Sequence, residues 1–157
     1  MTNEPIWQPT EEQIENAQLT QFARHCVRHF KLELNTYPDF YRWTVDHPEQ
    51  FWSEVWDWCG VIASKKGSSV LVDGERMPGA KWFTDARLNY AENLMRRGDR
   101  GDAFVFWDET GFRRRVSFSD LTSDVSRAAQ ALQSLGLRPG DRAAAFIPNI
   151  PETAMFA

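Results

Sequence analysis

Trp82-Phe83-Thr84-Asp85-Ala86-Arg87-Leu88-Asn89-Tyr90-Ala91-Glu92-Asn93-Leu94-Met95 is the most informative stretch of the chain. It opens on two large rings, which bring big buried areas wherever they pack. Asn89 is a good helix N-cap, and Glu92 stands three residues further on. The pattern predicts two rings packing down just before a tightly capped helix, which runs through Leu94 and Met95 and stops at Gly98. Trp82 and Leu88 are expected in the core. Upstream, Val70-Leu71-Val72 predicts a short strand entering a turn at Asp73-Gly74.

Toward the N-terminus the texture is helical and aromatic. Thr10-Glu11-Glu12-Gln13 has the form of a capping box. Leu19, Phe22, Ala23, Cys26, Val27 and Phe30 recur at intervals of three and four, so they share one helix face. Pro38 marks a new start, with Phe40 and Trp43 facing inward. Asp46 and Glu49 are expected to cap a third helix that has Pro48 in its first turn and Phe51, Trp52, Val55, Trp56 and Cys59 as its apolar stripe. Gly60 is its expected stop.

Toward the C-terminus, strand and helix alternate. Ala103 to Trp107 and Phe112 to Phe118 predict a hairpin turning at Asp108 to Gly111. Ser119 is expected to cap a long helix that carries Leu121, Val125, Ala128, Ala129, Leu132 and Leu135 and ends at Gly136. Pro139-Gly140 suits the centre of a type II turn. Ala143 to Ile147 is expected to be a buried strand, and Asn149-Ile150-Pro151-Glu152 a further helix start.

Composition excludes several classes of function. The 157 residues suffice for a real core, and a hydrophobic content of 42% with 25% charged residues is ordinary for a globular protein. Seven tryptophans and eleven phenylalanines rule out general disorder. A net charge of −4 argues against nucleic acid as a partner. No apolar run approaches the roughly 20 residues that span a bilayer, so no membrane partner is expected. The start Met-Thr-Asn-Glu-Pro is unlike a signal peptide. Cys26 and Cys59 form no C-x-x-C pair, and two reduced, buried thiols in a cytoplasmic protein are the simplest account.

The opening stretch resembles the W-F-x-x-A-x-L-N-x-A-x-N signature near the start of short-chain acyl-CoA synthetases, which are adenylate-forming ligases. Its Ala-Glu-Asn-Leu ending, preceded by Val72-Asp73-Gly74-Glu75-Arg76-Met77-Pro78-Gly79-Ala80, is most similar to the acetoacetate-activating branch of that family. A second match lies in Gly136-Leu137-Arg138-Pro139-Gly140-Asp141-Arg142, the candidate strand, and then Pro148-Asn149-Ile150-Pro151-Glu152. It resembles the opening of the family's large N-terminal domain. Each motif alone is moderately specific, and their order and spacing are strong. The resemblance implies an α/β fold, with an aromatic-rich helical segment over residues 1–100 and the beginning of the AMP-binding domain over residues 101–157. It also implies a ligase that converts acetoacetate to acetoacetyl-CoA through an acyl-adenylate, using ATP, Mg²⁺ and CoA. The family's Ser/Thr/Gly-rich phosphate loop and the catalytic lysine of its C-terminal domain have no matching position here. No catalytic, cofactor-binding or metal-binding residue is therefore assigned. The partners expected are the small molecules acetoacetate, ATP and CoA, and the remainder of the chain's own polypeptide.

Several tempting residues read more plainly. His25 and His29 lie four apart on one helix, but without the glutamate of H-E-x-x-H they read as solvated surface. Arg113-Arg114-Arg115 would alternate sides in a strand, which suits an exposed charged edge better than a phosphate grip. Asp39, Asp46, Glu49, Glu54 and Asp57 fall between aromatic positions and read as solvent-facing or capping groups. Trp43, Trp52, Trp56 and Trp58 have helical spacing and read as core or inter-domain surface rather than base-stacking platforms. No G-x-G-x-x-G or G-x-x-x-x-G-K occurs. Asp85 stands where the family commonly has glycine, which raises the question of a positive φ at that point.

Two alternatives stay open at this stage. One keeps the chemistry and changes the acid to acetate or propionate. The other is a non-catalytic interaction domain working through its aromatic surface. Ala157 falls within a helix only just begun, so truncation of a gene or of a sequence record is the expectation, and the DNA downstream of codon 157 would discriminate.

Overall fold

Side-chain caps start two of the four helices in residues 5–88 of the computed structural model, which describes residues 5–156. The chain divides into two units, residues 1–88 and residues 89–157. In the first unit α1 spans Glu11–Asn16, and its capping box is complete. The Gln13 N–H donates to Thr10 Oγ1 at 3.2 Å, and the Thr10 N–H donates to Gln13 Oε1 at 2.8 Å. Helix α2, Gln18–Phe30, ends at Lys31 in the left-handed region with φ 52°. Helix α3, Tyr37–Asp46, has a second capping box between Thr36 and Asp39, with Pro38 in its first turn.

Helix α4, Pro48–Trp58, corrects one expectation: its N-cap is His47, with no side-chain cap bond. Asp46 is already the last residue of α3, and His47 alone separates the two helices. Glu49 sits in the first turn, where a negative charge acts through the helix dipole rather than as a cap.

The core of this unit is aromatic. Phe22, Cys26, Phe40 and Trp43 are buried, and Phe30, Leu32, Phe51 and Val55 pack against them. Phe22 meets Phe40 edge-on at 6.3 Å, and Trp43 lies 5.7 Å from Phe40 and 5.3 Å from Phe30. Each fully buried ring of this kind contributes about 1.5–3 kcal/mol. The Trp43 indole N–H is buried without a hydrogen-bond partner. Trp52 and Trp58, 43% and 42% exposed, take the surface rather than the core alternative of their reading. Leu19 is also exposed, because it lines an open groove of about 610 Å³ with Ala23, Val27, Leu34 and Phe40.

Burial first, and the nearby Glu54 charge second, push the Cys26 thiol up to about 11, so it is an inert core group. Cys59 corrects the expectation of two buried thiols: it is exposed, one residue past the last turn of α4 and just before Gly60 at φ 61°. Strands β1, Leu71–Val72, and β2, Lys81–Trp82, then pair antiparallel with Leu71 opposite Trp82.

In the second unit α5, Tyr90–Leu94, is capped as expected: the Glu92 N–H donates to Asn89 Oδ1 at 3.2 Å. The helix ends at Met95 rather than Gly98. It buries no side chain, and short helices need packing to propagate. Strands β3, Asp102–Asp108, and β4, Gly111–Ser117, form the expected antiparallel hairpin. Helix α6, Phe118–Ser134, is capped by Ser117 rather than Ser119. Ser117 ends β4 in an extended conformation and accepts from the Asp120 N–H at 3.1 Å, so strand passes into helix without a spacer. Val116, Leu121 and Pro151 are buried there.

Gly140 has φ 100°, and the Asp141 N–H donates to the Arg138 carbonyl at 3.0 Å, as a type II turn requires. Ala143 to Ile147 is a further correction, since it forms no strand and Phe146 is fully exposed. A strand exists through its neighbours, and among the described residues the hairpin carries no third strand. Helix α7, Pro151–Met155, closes the described chain. Helices with small antiparallel sheets make this a mixed α/β structure.

Candidate functional site

The signature stretch is held from two sides within the first unit. Phe83 takes φ 44°, unusual for a bulky residue, and its ring lies 4.6 Å from Trp56 of α4. Trp82 meets Trp52 edge-on at 5.8 Å. Trp82 and Leu88 nevertheless remain 43% and 46% exposed, which corrects their expected core placement. A two-residue ribbon covers one side of a ring at most, and α4 supplies the only aromatic neighbour recorded for Trp82 among the described residues.

The second hold is polar. Asp85 accepts from the Ser68 N–H at 2.7 Å and from Ser68 Oγ at 3.2 Å, and it pairs with Lys65. The Lys65 ammonium first, and the Ser68 N–H next, hold the Asp85 carboxyl down at about 2. The backbones agree with this: the Arg87 N–H donates to the Lys65 carbonyl at 2.8 Å, and the Ser64 N–H to the Arg87 carbonyl at 2.9 Å. Gly67 sits beneath at φ 101°, where an added Cβ would lie 3.0 Å from Asp85 Oδ1 and 3.2 Å from the Ala86 nitrogen. The positive φ in this stretch thus belongs to Phe83, and Asp85 supplies hydrogen bonds rather than backbone freedom.

The hairpin arginines are exposed, as expected, and each has its own carboxylate: Arg113 pairs with Asp108, Arg114 with Glu152 and Arg115 with Asp102. The Arg113 guanidinium holds the Asp108 carboxyl at about 2. Lys66 pairs with Asp57 at 2.6 Å, and Arg97 with Asp99 at 3.0 Å. The cations best placed to grip a phosphate are thus already engaged with carboxylates. No G-x-G-x-x-G or G-x-x-x-x-G-K occurs in the sequence beside them.

One cluster departs from the sequence reading. His25 is hydrogen-bonded to Glu54 Oε1, and His29 Nε2 lies 3.9 Å from Glu54 Oε2. The Glu54 side chain is only 12% exposed, so neither it nor His25 is a purely solvated group. Trp58 covers His25 at 5.0 Å. The i,i+4 histidines signalled one face of α2. Their partner on α4 carried no signal, because nothing in the sequence fixes the rotation of α4 against α2.

Comparison with known proteins decides the family. A family model described as "Acetyl-coenzyme A synthetase N-terminus" matches residues 37–94, and one described as "AMP-binding enzyme" matches residues 92–157. The acetoacetyl-coenzyme A synthetase of Rhizobium meliloti (strain 1021) is 41% identical over 149 residues, covering 95% of this chain and 23% of that protein. The acetoacetyl-CoA synthetase structure from Streptomyces lividans aligns with a TM-score of 0.86 at 37% identity, covering 97% of this chain and 24% of that one. The chain belongs to the adenylate-forming acyl-CoA synthetase family. A malonamoyl-CoA synthetase of Penicillium aethiopicum is 33% identical over 141 residues, so relatives in this family include one named for a different acid. The chain spans about a quarter or less of the length of the relatives it matches. Among the described residues, no helix is long and apolar enough to cross a membrane.

Proposed function

We propose that this chain is the N-terminal part of an ATP-dependent acid–thiol ligase that joins acetoacetate to CoA with release of AMP. The observation that carries the reading is the 41% identity to an acetoacetyl-coenzyme A synthetase across 95% of the chain. The retained signature geometry, in which Phe83 and Asp85 lock the segment before the Asn89-capped helix, supports it. Residues 1–100 serve as the helical lead-in and residues 101–157 open the AMP-binding domain. ATP, Mg²⁺ and CoA are the co-reactants and acetoacetate is the acid, in a cytoplasmic enzyme without nucleic-acid or membrane partners.

The test is acid-dependent exchange of pyrophosphate into ATP by the full-length protein, with acetoacetate, acetate and propionate compared at equal concentration. Acetoacetate is expected to support the fastest exchange. Faster exchange with acetate or propionate would reassign the acid, and no exchange with any of the three would overturn the ligase reading.

A further inference from the structure

The cluster on α2 and α4 is left unused by the ligase reading. His25 and His29 stand one helical turn apart, and their rings are nearly parallel, 19° apart with centroids at 5.8 Å. Both Nε2 atoms face the two oxygens of the same carboxylate, that of Glu54. One donor atom from each of the three side chains lies within 4.8 Å of the other two. A tetrahedral ion with bonds of about 2.0–2.2 Å holds its donor atoms roughly 3.3–3.5 Å apart. The three donor atoms, spread over at most 4.8 Å, thus lie near the spacing that one such ion requires.

The donor chemistry is selective. Two imidazoles and one carboxylate suit borderline divalent ions, whereas Mg²⁺ demands an octahedron of oxygens. Burying most of a carboxylate is costly unless a cation or donors compensate it. Glu54 is enclosed, while the His29 side chain is 57% exposed and leaves the outer side of the cluster open to water. We propose that His25, His29 and Glu54 form a site for a borderline divalent transition-metal ion such as Zn²⁺, clamping α2 to α4 and keeping an outer coordination position for water. Three protein ligands with one open position is the arrangement of Zn²⁺ sites that retain water. The ion also fastens two helices that are separated in sequence by the whole of α3.

The experiment uses the full-length protein, stripped with a chelator and titrated with Co²⁺ as a spectroscopic stand-in for Zn²⁺. One equivalent of Co²⁺ is expected to give the visible absorption of a four- or five-coordinate ion. Zn²⁺ displaces this signal and excess Mg²⁺ does not. His29→Gln, at an exposed position, and Glu54→Gln are each expected to weaken Co²⁺ binding by at least roughly tenfold, as loss of even a ligand's supporting partner can do. His47→Gln removes the one histidine of residues 1–157 outside the cluster and leaves binding unchanged. Should Glu54→Gln lose its near-ultraviolet circular dichroism, His29→Gln alone decides. Absence of saturable Co²⁺ binding, or equal binding by wild type and His29→Gln, overturns the proposal.

Discussion

Residues 5–88 are organised by rings meeting rings, whereas residues 89–156 are organised by one hairpin and one helix joined through caps and ion pairs. In the first unit Phe22, Phe40 and Trp43 interlock with Phe30 and Phe51, so single side chains carry large apolar areas. The buried apolar groups of the second unit are Val116, Leu121 and Pro151, and its three hairpin arginines are all paired at the surface. Exposed pairs of that kind contribute little each. The lesson is that packing defects should dominate in the first unit, and small cap or strand defects in the second.

The largest expected effect tests the aromatic core. Trp43→Ala should cost about 3–5 kcal/mol, because it leaves a cavity among four rings. Trp43→Phe should cost about 1 kcal/mol or less, since the indole N–H it removes has no partner to lose. Chemical denaturation followed by tryptophan fluorescence measures both, and similar costs for the two variants would break the account.

Trp82→Ala sharpens the same comparison inside the first unit. The ring is 43% exposed and touches Trp52 from one side, so about 1–2 kcal/mol is expected. A loss as large as that of Trp43→Ala, in the same denaturation assay, would show that this ring is covered in the intact protein. For the second unit, Ser117→Ala should cost about 1 kcal/mol while Ser119→Ala costs a few tenths. Thermal melts followed by far-ultraviolet circular dichroism would reveal a reversed order, which would move the start of α6 by two residues.

The smallest effect concerns pH. Asp85 is held at about 2, below its ordinary value near 3.8, so its contribution is fully present above about pH 4. It fades as pH falls toward 2. Asp85→Asn should therefore be slightly less stable than wild type at neutral pH, and the gap should close between about pH 4 and pH 2. Melting temperatures across that range read the difference, and a gap that widened toward acid would reverse the assigned sign. Salt should narrow it at neutral pH, since the Lys65 pair is exposed.

Local chemistry was legible in the sequence wherever it depended on neighbours along the chain. The Thr10 box, the Asn89 cap, the Asp108–Gly111 turn and the Pro139-Gly140 turn all follow from residues within four positions of one another. The buried pair Phe40 and Trp43 was legible from helical spacing. What failed depended on distant partners. Ala143 to Ile147 has strand composition without a neighbouring strand among the described residues. Trp82 and Leu88 have core character, yet Trp82 lies on a two-residue ribbon that covers one side only and Leu88 lies in the exposed loop just before α5. The His25–Glu54 contact rests on how α4 is rotated against α2, and the Asp85–Ser68 clasp rests on a loop closing across residues 68–85. Glycine at the position of Asp85 was a question about φ, yet the answer lay in the carboxylate.

Phe83 adds a mechanical consequence. Its backbone is held at φ 44° while its ring is seated on Trp56, so conformational strain and anchoring reside in one residue. A turn made by glycine would keep its shape whatever α4 did. A turn made by Phe83 gains part of its hold from the seated ring, beside the Phe83 N–H donating to the Val70 carbonyl at 2.8 Å. Any displacement of α4 that unseats the ring would let the backbone relax toward ordinary angles, pulling on Asp85 and the Lys65–Ser68 loop clasped to it. The shape of the segment just before the Asn89-capped helix is thus tied in part to the position of α4.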